Sequence, residues 1–146
     1  YKTQLDILLL LQRLVERFYA EVWNRADEAV ARAILAEDFG FRGSLGPERR
    51  GQDGFIDYMR SIHTALGDYT CIIDDLVAAG DRVAARMTFQ GRHQGDFFGV
   101  APSGEMVCWA GAAFFRIADG RIAELWVLGD IDSVKQQLGR DAASTF

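Results

Sequence analysis

Proton transfer is the chemistry that the residue types of this chain make available, and few side chains are suited to it. Its two histidines, His63 and His93, fall on different predicted elements. His93 sits in the glycine-flanked run Gly91-Arg92-His93-Gln94-Gly95 and continues the side-chain parity of Met87, Phe89 and Gly91. Two readings stand for it: an acid/base group at a cavity mouth, or a ring whose nitrogens position the surrounding loop. Asp130 lies where the last predicted strand ends. It reads first as the N-cap of a following helix, and as an acid/base carboxylate only if burial raises its pKa. Tyr19 follows Phe18 on the first predicted helix, where its phenol either packs against the core or offers a hydroxyl to a ligand. His63 shares the helical stripe of Ile56 and Met59, a place for a histidine at the edge of a core.

Other chemistries find no support. Two histidines on separate elements form no metal-ligand set. Cys71 and Cys108 lack metal-pair spacing and each lies in an apolar strand pattern. Buried free thiols in a reducing cytoplasm are the reading, with a disulfide between them left open. Gly91, Gly95 and Gly99 follow a strand, but no helix opens after them, so they are not a dinucleotide fingerprint. No Ser/His/Asp set or phosphate loop is present, and no cofactor is expected. Trp23, Phe41 and Trp109 form either an aromatic wall for a flat ligand or part of the core. Arg42, Arg86 and Arg92 are expected to pair with Asp74, Asp75 or Asp96 across a solvated face.

The elements that must position these residues follow from periodicity. Leu8, Leu11, Val15, Phe18 and Val22 step by three and four along a long first helix. Asp27 caps a short second helix that turns Val30, Ala33 and Ile34 inward. A third helix follows Gly51, with Phe55, Met59, Ile62 and Leu66 on one stripe. After Gly67 the period becomes two. Strands are expected over 69–78, 82–90, 106–117 and 121–128, with Gly80-Asp81 and Asp119-Gly120 as tight turns. A short helix follows Asp130 and ends at Gly139. Helices followed by an antiparallel meander make an α+β domain spanning 1–146. A curved sheet over a helical layer leaves room for a pocket between the two.

Composition narrows the partners. The chain has 146 residues, 49% hydrophobic and 25% charged, with a net charge of −5. That acidic balance argues against nucleic acid and anionic lipid; Pro47-Glu48-Arg49-Arg50 is the nearest thing to a basic patch and reads as a surface loop. The apolar run Ile7–Leu11 falls far short of the roughly 20 residues that cross a bilayer, and Glu16 and Arg17 follow too closely for a signal peptide. A cytoplasmic protein without membrane association is expected.

Several motifs carry a resemblance: FYAEVWNRAD on the first helix, LAEDF after the second, GDRVAARMTFQGRHQGDFFGVAPSG in the middle and FFRIADGRIAELWVLGD with QQLG at the end. In these the chain resembles the SnoaL-like polyketide cyclase family of the nuclear transport factor two superfamily. The resemblance implies a cone-shaped curved antiparallel sheet, of about four main strands plus short N-terminal strand pieces. The sheet wraps over three N-terminal helices, and a short C-terminal helix follows. It also implies an aspartate on the last strand and a histidine on the strand before it. Counted from the shared hairpin, those places hold Val127 and Ala113, and an asparagine position falls near Phe41. A first-helix tyrosine position matches at Tyr19, whereas the base of the related steroid isomerases would fall on Gly43. Neither Val nor Ala can move a proton.

The same alignment turns Trp109, Gly111, Ala113, Phe115, Ala123, Leu125 and Val127 toward the cavity, and Ile122, Glu124, Trp126 and Leu128 outward. An apolar outer face is expected to pack against a second copy; a β-bulge would swap the two sets. The expected activity is binding of an apolar cyclic or aromatic small molecule. Any cyclase or isomerase chemistry would rest on Tyr19 as donor and His93 or Asp130 as base. The alternative is a non-catalytic dimeric binding or accessory module whose cavity is filled by its own aromatics.

Overall fold

A computed structural model describes residues 3–44 and 47–139. Helix α1, Gln4–Arg17, starts at Thr3, whose hydroxyl accepts the Asp6 N–H at 3.1 Å while the Asp6 carboxylate accepts the Thr3 N–H at 3.3 Å. This reciprocal cap satisfies two amides that would otherwise lack partners. Leu11 and Val15 face the core. The helix then widens into a π turn, Phe18–Trp23, in which the Asn24 N–H donates to the Tyr19 carbonyl at 2.9 Å. Helix α2, Glu28–Ile34, is capped by Asp27, which accepts the Val30 N–H at 3.1 Å. Its inward residues are Ala31 and Ile34, so Ala33, expected inward, is exposed one position off the stripe. Helix α3, Gly51–Ala65, buries Phe55, Ile56, Met59 and Ile62.

The strands are β1 (Leu35–Arg42), β2 (Arg49–Arg50), β3 (Leu66–Ala79), β4 (Arg82–His93), β5 (Met106–Ala118) and β6 (Arg121–Gly129). They form one mixed sheet in the order β2-β1-β6-β5-β4-β3. The expected meander β3 to β6 is antiparallel throughout, and β1 adds to it parallel to β6. The sheet curves without closing and wraps the helices, as the α+β reading requires. Asp119 and Gly120 both have positive φ, 53° and 75°, the geometry that lets a two-residue loop follow strand twist. Helix α4, Ile131–Gln137, follows Asp130. Among the described residues no helix is long and apolar enough to cross a membrane.

One register shift changes the expected inner face. Arg116 pairs with Glu124 but Ile117 pairs with Ile122, so Ala123 is an extra residue in β6. The bulge turns Ile122 inward, where it is fully buried, and takes Ala123 out of the inner row. Glu124, Trp126 and Leu128 stay outward. Parity also separates the thiols: Cys71 is buried, whereas Cys108, between inward Val107 and Trp109, is exposed, and neither forms a disulfide. The expected ion pairs of Arg42, Arg86 and Arg92 with Asp74, Asp75 or Asp96 do not form among the described residues. Arg42 instead lies 5.0 Å over the Trp126 ring and donates to the Val127 carbonyl at 2.9 Å, and Arg92 donates to the Gly104 carbonyl at 3.2 Å.

Candidate functional site

The π turn, α3 and the inner face of the sheet enclose a cavity of about 40 Å³. The π turn contributes Tyr19 and Trp23, α3 contributes Tyr58 and Ile62, and β3 contributes Tyr69 and Cys71. Phe41, Gly43, Ser44, Phe89, Trp109, Leu125, Val127 and Ile131 complete the wall. Around Tyr19 and Trp23 most aromatic rings meet edge to face, whereas Trp109 lies tilted against Tyr69 and Phe89 at 31° and 41°. Tyr19 meets Phe18 at 5.1 Å and Phe115 at 5.9 Å, and Trp23 meets Phe55 at 5.5 Å and Tyr69 at 5.4 Å. Such T-shaped contacts favour one arrangement of the rings.

The wall holds no carboxylate, imidazole, ammonium or guanidinium among the described residues. Its ionisable groups are three phenols and one thiol, all held neutral. Burial pushes the Tyr19 and Tyr69 phenols well above the ordinary tyrosine range. Burial also raises Tyr58 to about 12, against the opposing pull of Arg49, whose guanidinium lies 5.3 Å over its ring. The Cys71 thiol is raised by burial too, offset in part by a hydrogen bond with Tyr69. The site therefore offers hydrogen-bond donors and no base near neutrality.

One of those donors is unused. The Tyr19 hydroxyl is buried and has no hydrogen-bond partner. A buried hydroxyl without a partner costs about 1–3 kcal/mol, so this atom is set for a partner that the folded chain does not supply.

Of the residues expected from sequence, Tyr19, Trp23, Phe41, Trp109, Leu125 and Val127 line the cavity. Ala113 and Phe115 share the inward face but lie within the packed core beside it, since Phe115 fills its place against Phe18 at 5.6 Å. His93 is not in the cavity wall. It is fully buried at the end of β4, where Nδ1 accepts from the Ser103 N–H at 3.3 Å and Nε2 donates to the Val100 carbonyl at 3.1 Å. Both nitrogens are thus committed to the loop before β5. Asp130 is exposed and caps α4, accepting the Ser133 N–H at 3.1 Å. His63 bonds to the Trp23 carbonyl at 2.8 Å behind the wall.

Tyr58, Tyr69 and Cys71 belong to the wall without having been singled out from sequence. The signal was there: Tyr69 and Cys71 share strand parity, and Phe55, Tyr58 and Ile62 fall on one helical stripe. Among the described residues no group of three or more His, Cys, Asp or Glu could hold a metal ion.

Comparison with known proteins bears on this arrangement. A family model described as SnoaL-like polyketide cyclase matches residues 13–138. No curated protein matches the sequence. Among solved structures, TsrD from Streptomyces laurentii is 31% identical with a TM-score of 0.79, over 90% of this chain and 96% of that one. IdmH from Streptomyces antibioticus, described as a candidate polyketide cyclase, is 27% identical with a TM-score of 0.79, over 88% and 98%. A candidate SnoaL-like polyketide cyclase from Jannaschia sp. CCS1 reaches a TM-score of 0.85 over 94% and 97%; its 21% identity bears on the fold alone.

Proposed function

The chain belongs to the SnoaL-like polyketide cyclase family, and on that premise we propose that its pocket binds a neutral, apolar, ring-containing small molecule through one oxygen that accepts from Tyr19. The observation that carries this reading is the buried, unpartnered Tyr19 hydroxyl on the cavity wall. A ligand carbonyl there removes the cost of the unmade bond, and the aromatic wall receives the rings. A carboxylate ligand is disfavoured, because nothing in the wall compensates a buried charge.

Any reaction here runs without the usual acid/base pair of the cyclases, whose places hold Ala113 and Val127. A neutral phenol polarises a carbonyl and stabilises charge that develops on its oxygen. It does not remove the proton. Aldol-type ring closure at this site therefore needs a substrate with a strongly activated hydrogen, or stops at binding. His93 and Asp130 serve the loop and the helix end in this reading.

The cavity volume supports a second reading. At about 40 Å³ it holds a few waters, whereas drug-sized ligands occupy roughly 300–1,000 Å³. A non-catalytic accessory module filled by its own aromatics fits that volume. A ring-sized ligand requires Trp23, Tyr58 or Trp109 to move aside.

The outer sheet face, with Phe114, Trp126 and Leu128 exposed, is proposed to pack against a second copy. The free thiols suit a reducing cytoplasm.

The deciding experiment is a thermal-shift titration against aromatic ketones, anthraquinones, steroids and terpenoids, repeated on Tyr19→Phe. A ligand specific to the folded state raises the midpoint with its concentration. A concentration-dependent rise that Tyr19→Phe abolishes or strongly reduces is expected. A flat response across the panel favours the filled-cavity module, and a rise that Tyr19→Phe leaves intact removes Tyr19 from the site.

A further inference from the structure

The π turn departs from the winding of α1 just where the cavity begins. In an α-helix Trp23 would lie about 40° around the axis from Tyr19 but about 140° from Phe18, five residues before it. The wider turn, closed by the bond from the Asn24 N–H to the Tyr19 carbonyl at 2.9 Å, winds less per residue and brings Trp23 nearer the side of Phe18. There it is 5% exposed and lines the cavity beside Tyr19.

A π turn is less favourable than α-helix and persists where other contacts hold it. The contact at its end is specific. Asn24 Oδ1 accepts the Cys71 N–H at 2.7 Å, and Asn24 Nδ2 donates to the Cys71 carbonyl at 3.1 Å. The amide thus occupies the position of a neighbouring strand along the edge of β3. Cys71 and Tyr69 of that same strand line the cavity. The backbone N–H and C=O of a single residue, Cys71, therefore fix the helix end relative to this part of the wall.

We propose that Asn24 is a positioning residue of this pocket: its carboxamide, bonded to both the N–H and the carbonyl of Cys71, locks the π turn that presents Tyr19 and Trp23 to the cavity. The inference rests on reading this cavity as the ligand site, but the lock itself is tested without a ligand. Asn24 is exposed, so its replacement opens no hole in the core.

The test is NMR of the aromatic rings at neutral pH. The parent shows cross-peaks between the rings of Trp23 and Tyr69 and between those of Tyr19 and Phe115. Asn24→Ala is expected to lose both pairs while the Phe39–Phe55 cross-peaks persist. Asn24→Gln, whose amide sits one methylene too far out, is expected to lose them too and serves if the alanine variant does not fold. Asp27→Ala removes the cap of α2 without touching the lock, and is expected to keep both pairs. Retention of the Trp23–Tyr69 and Tyr19–Phe115 cross-peaks in a folded Asn24 variant overturns the proposal. So does equal loss in Asp27→Ala, which would make the effect one of general loosening. Failure of Tyr19→Phe to alter ligand binding would reject the ligand reading and leave this result untouched.

Discussion

The side chain of Gln137 and the backbone of Cys108 are paired as two strands would be. Gln137 Oε1 accepts the Cys108 N–H at 2.9 Å and Gln137 Nε2 donates to the Cys108 carbonyl at 2.6 Å. The pairing of β6 with β5 reaches only from Gly111 to Ala118, so the start of β5 has a free edge on that side. The amide covers it and ties α4 to the sheet, beside Val134, which is fully buried. Asn24 covers the Cys71 peptide of β3 in the same way.

Gln137→Ala is therefore expected to destabilise the protein by about 1–2 kcal/mol, the net worth of two partly solvated hydrogen bonds. Backbone amide exchange should quicken at Cys108 and along α4 and stay slow in β3 and β4. Denaturant unfolding with hydrogen exchange checks both. Uniform acceleration across the sheet would show that the amide stabilises the whole fold rather than the attachment of α4.

Tyr19→Phe should separate stability from binding. Removing a hydroxyl that has no partner leaves the ring packing intact and removes a desolvated polar atom, so the free protein is expected to be as stable as the parent or up to about 1 kcal/mol more stable. Its affinity for a carbonyl ligand should fall by about tenfold, the loss of one net hydrogen bond. Chemical denaturation without ligand and a thermal-shift titration with ligand give the two values. A destabilised free protein would mean that the hydroxyl has a partner within the fold, such as a buried water.

How far the site was legible follows from the winding of each element. Strand parity placed Trp109, Leu125 and Val127 on the inner face because β5 and β6 alternate regularly there. It misplaced Ile122 and Ala123, since a bulge leaves no clear mark in a run of apolar residues. The stripe Leu11, Val15, Phe18 and Val22 keeps helical spacing and was readable, and Trp23 was a candidate for the wall, but Phe18 to Trp23 wind as a π turn. Periodicity of 3.6 residues gives no warning of that. His93 and Asp130 drew attention as the titratable residues nearest the expected cavity, and both proved to be committed to local backbone. Sequence names the polar atoms; only the fold shows which are already used. Tyr19 drew attention through its place on the first helix and the family resemblance, but only the fold shows that its hydroxyl is unused.

The exposed apolar strip on the outer face makes a prediction about assembly. Phe114 and Trp126 lie with ring centroids 6.0 Å apart, and Leu128 continues the strip; they are 50%, 45% and 54% exposed. If a second copy covers them, the parent sediments at twice its 16.3 kDa chain mass. Trp126→Glu then gives the single-chain mass with an unchanged circular dichroism spectrum, because two carboxylates are brought together across a two-fold axis. A parent that sediments as a single chain at micromolar concentration rejects the dimer.

Alkaline pH should expose the cost of the neutral wall. In the unfolded chain a cysteine ionises near pH 8.5 and a tyrosine near pH 10. In the fold, burial raises Cys71, Tyr19, Tyr58 and Tyr69, with Tyr58 at about 12. A raised folded pKa means that the unfolded chain loses its proton first. The stability from these groups is fully present below the unfolded values and declines as pH rises through them toward the folded ones. Denaturant midpoints are therefore expected to hold steady to about pH 8, decline gently from about 8.5 as Cys71 begins to count, and fall steeply above about 10 when the three tyrosines join. Cys71→Ala should remove the gentle first phase and leave the steep one, apart from a constant loss of packing at every pH. Midpoints measured every half unit from pH 7 to 11 decide the matter. A profile for Cys71→Ala that runs parallel to the parent throughout would mean that the thiol ionises as readily in the fold as outside it.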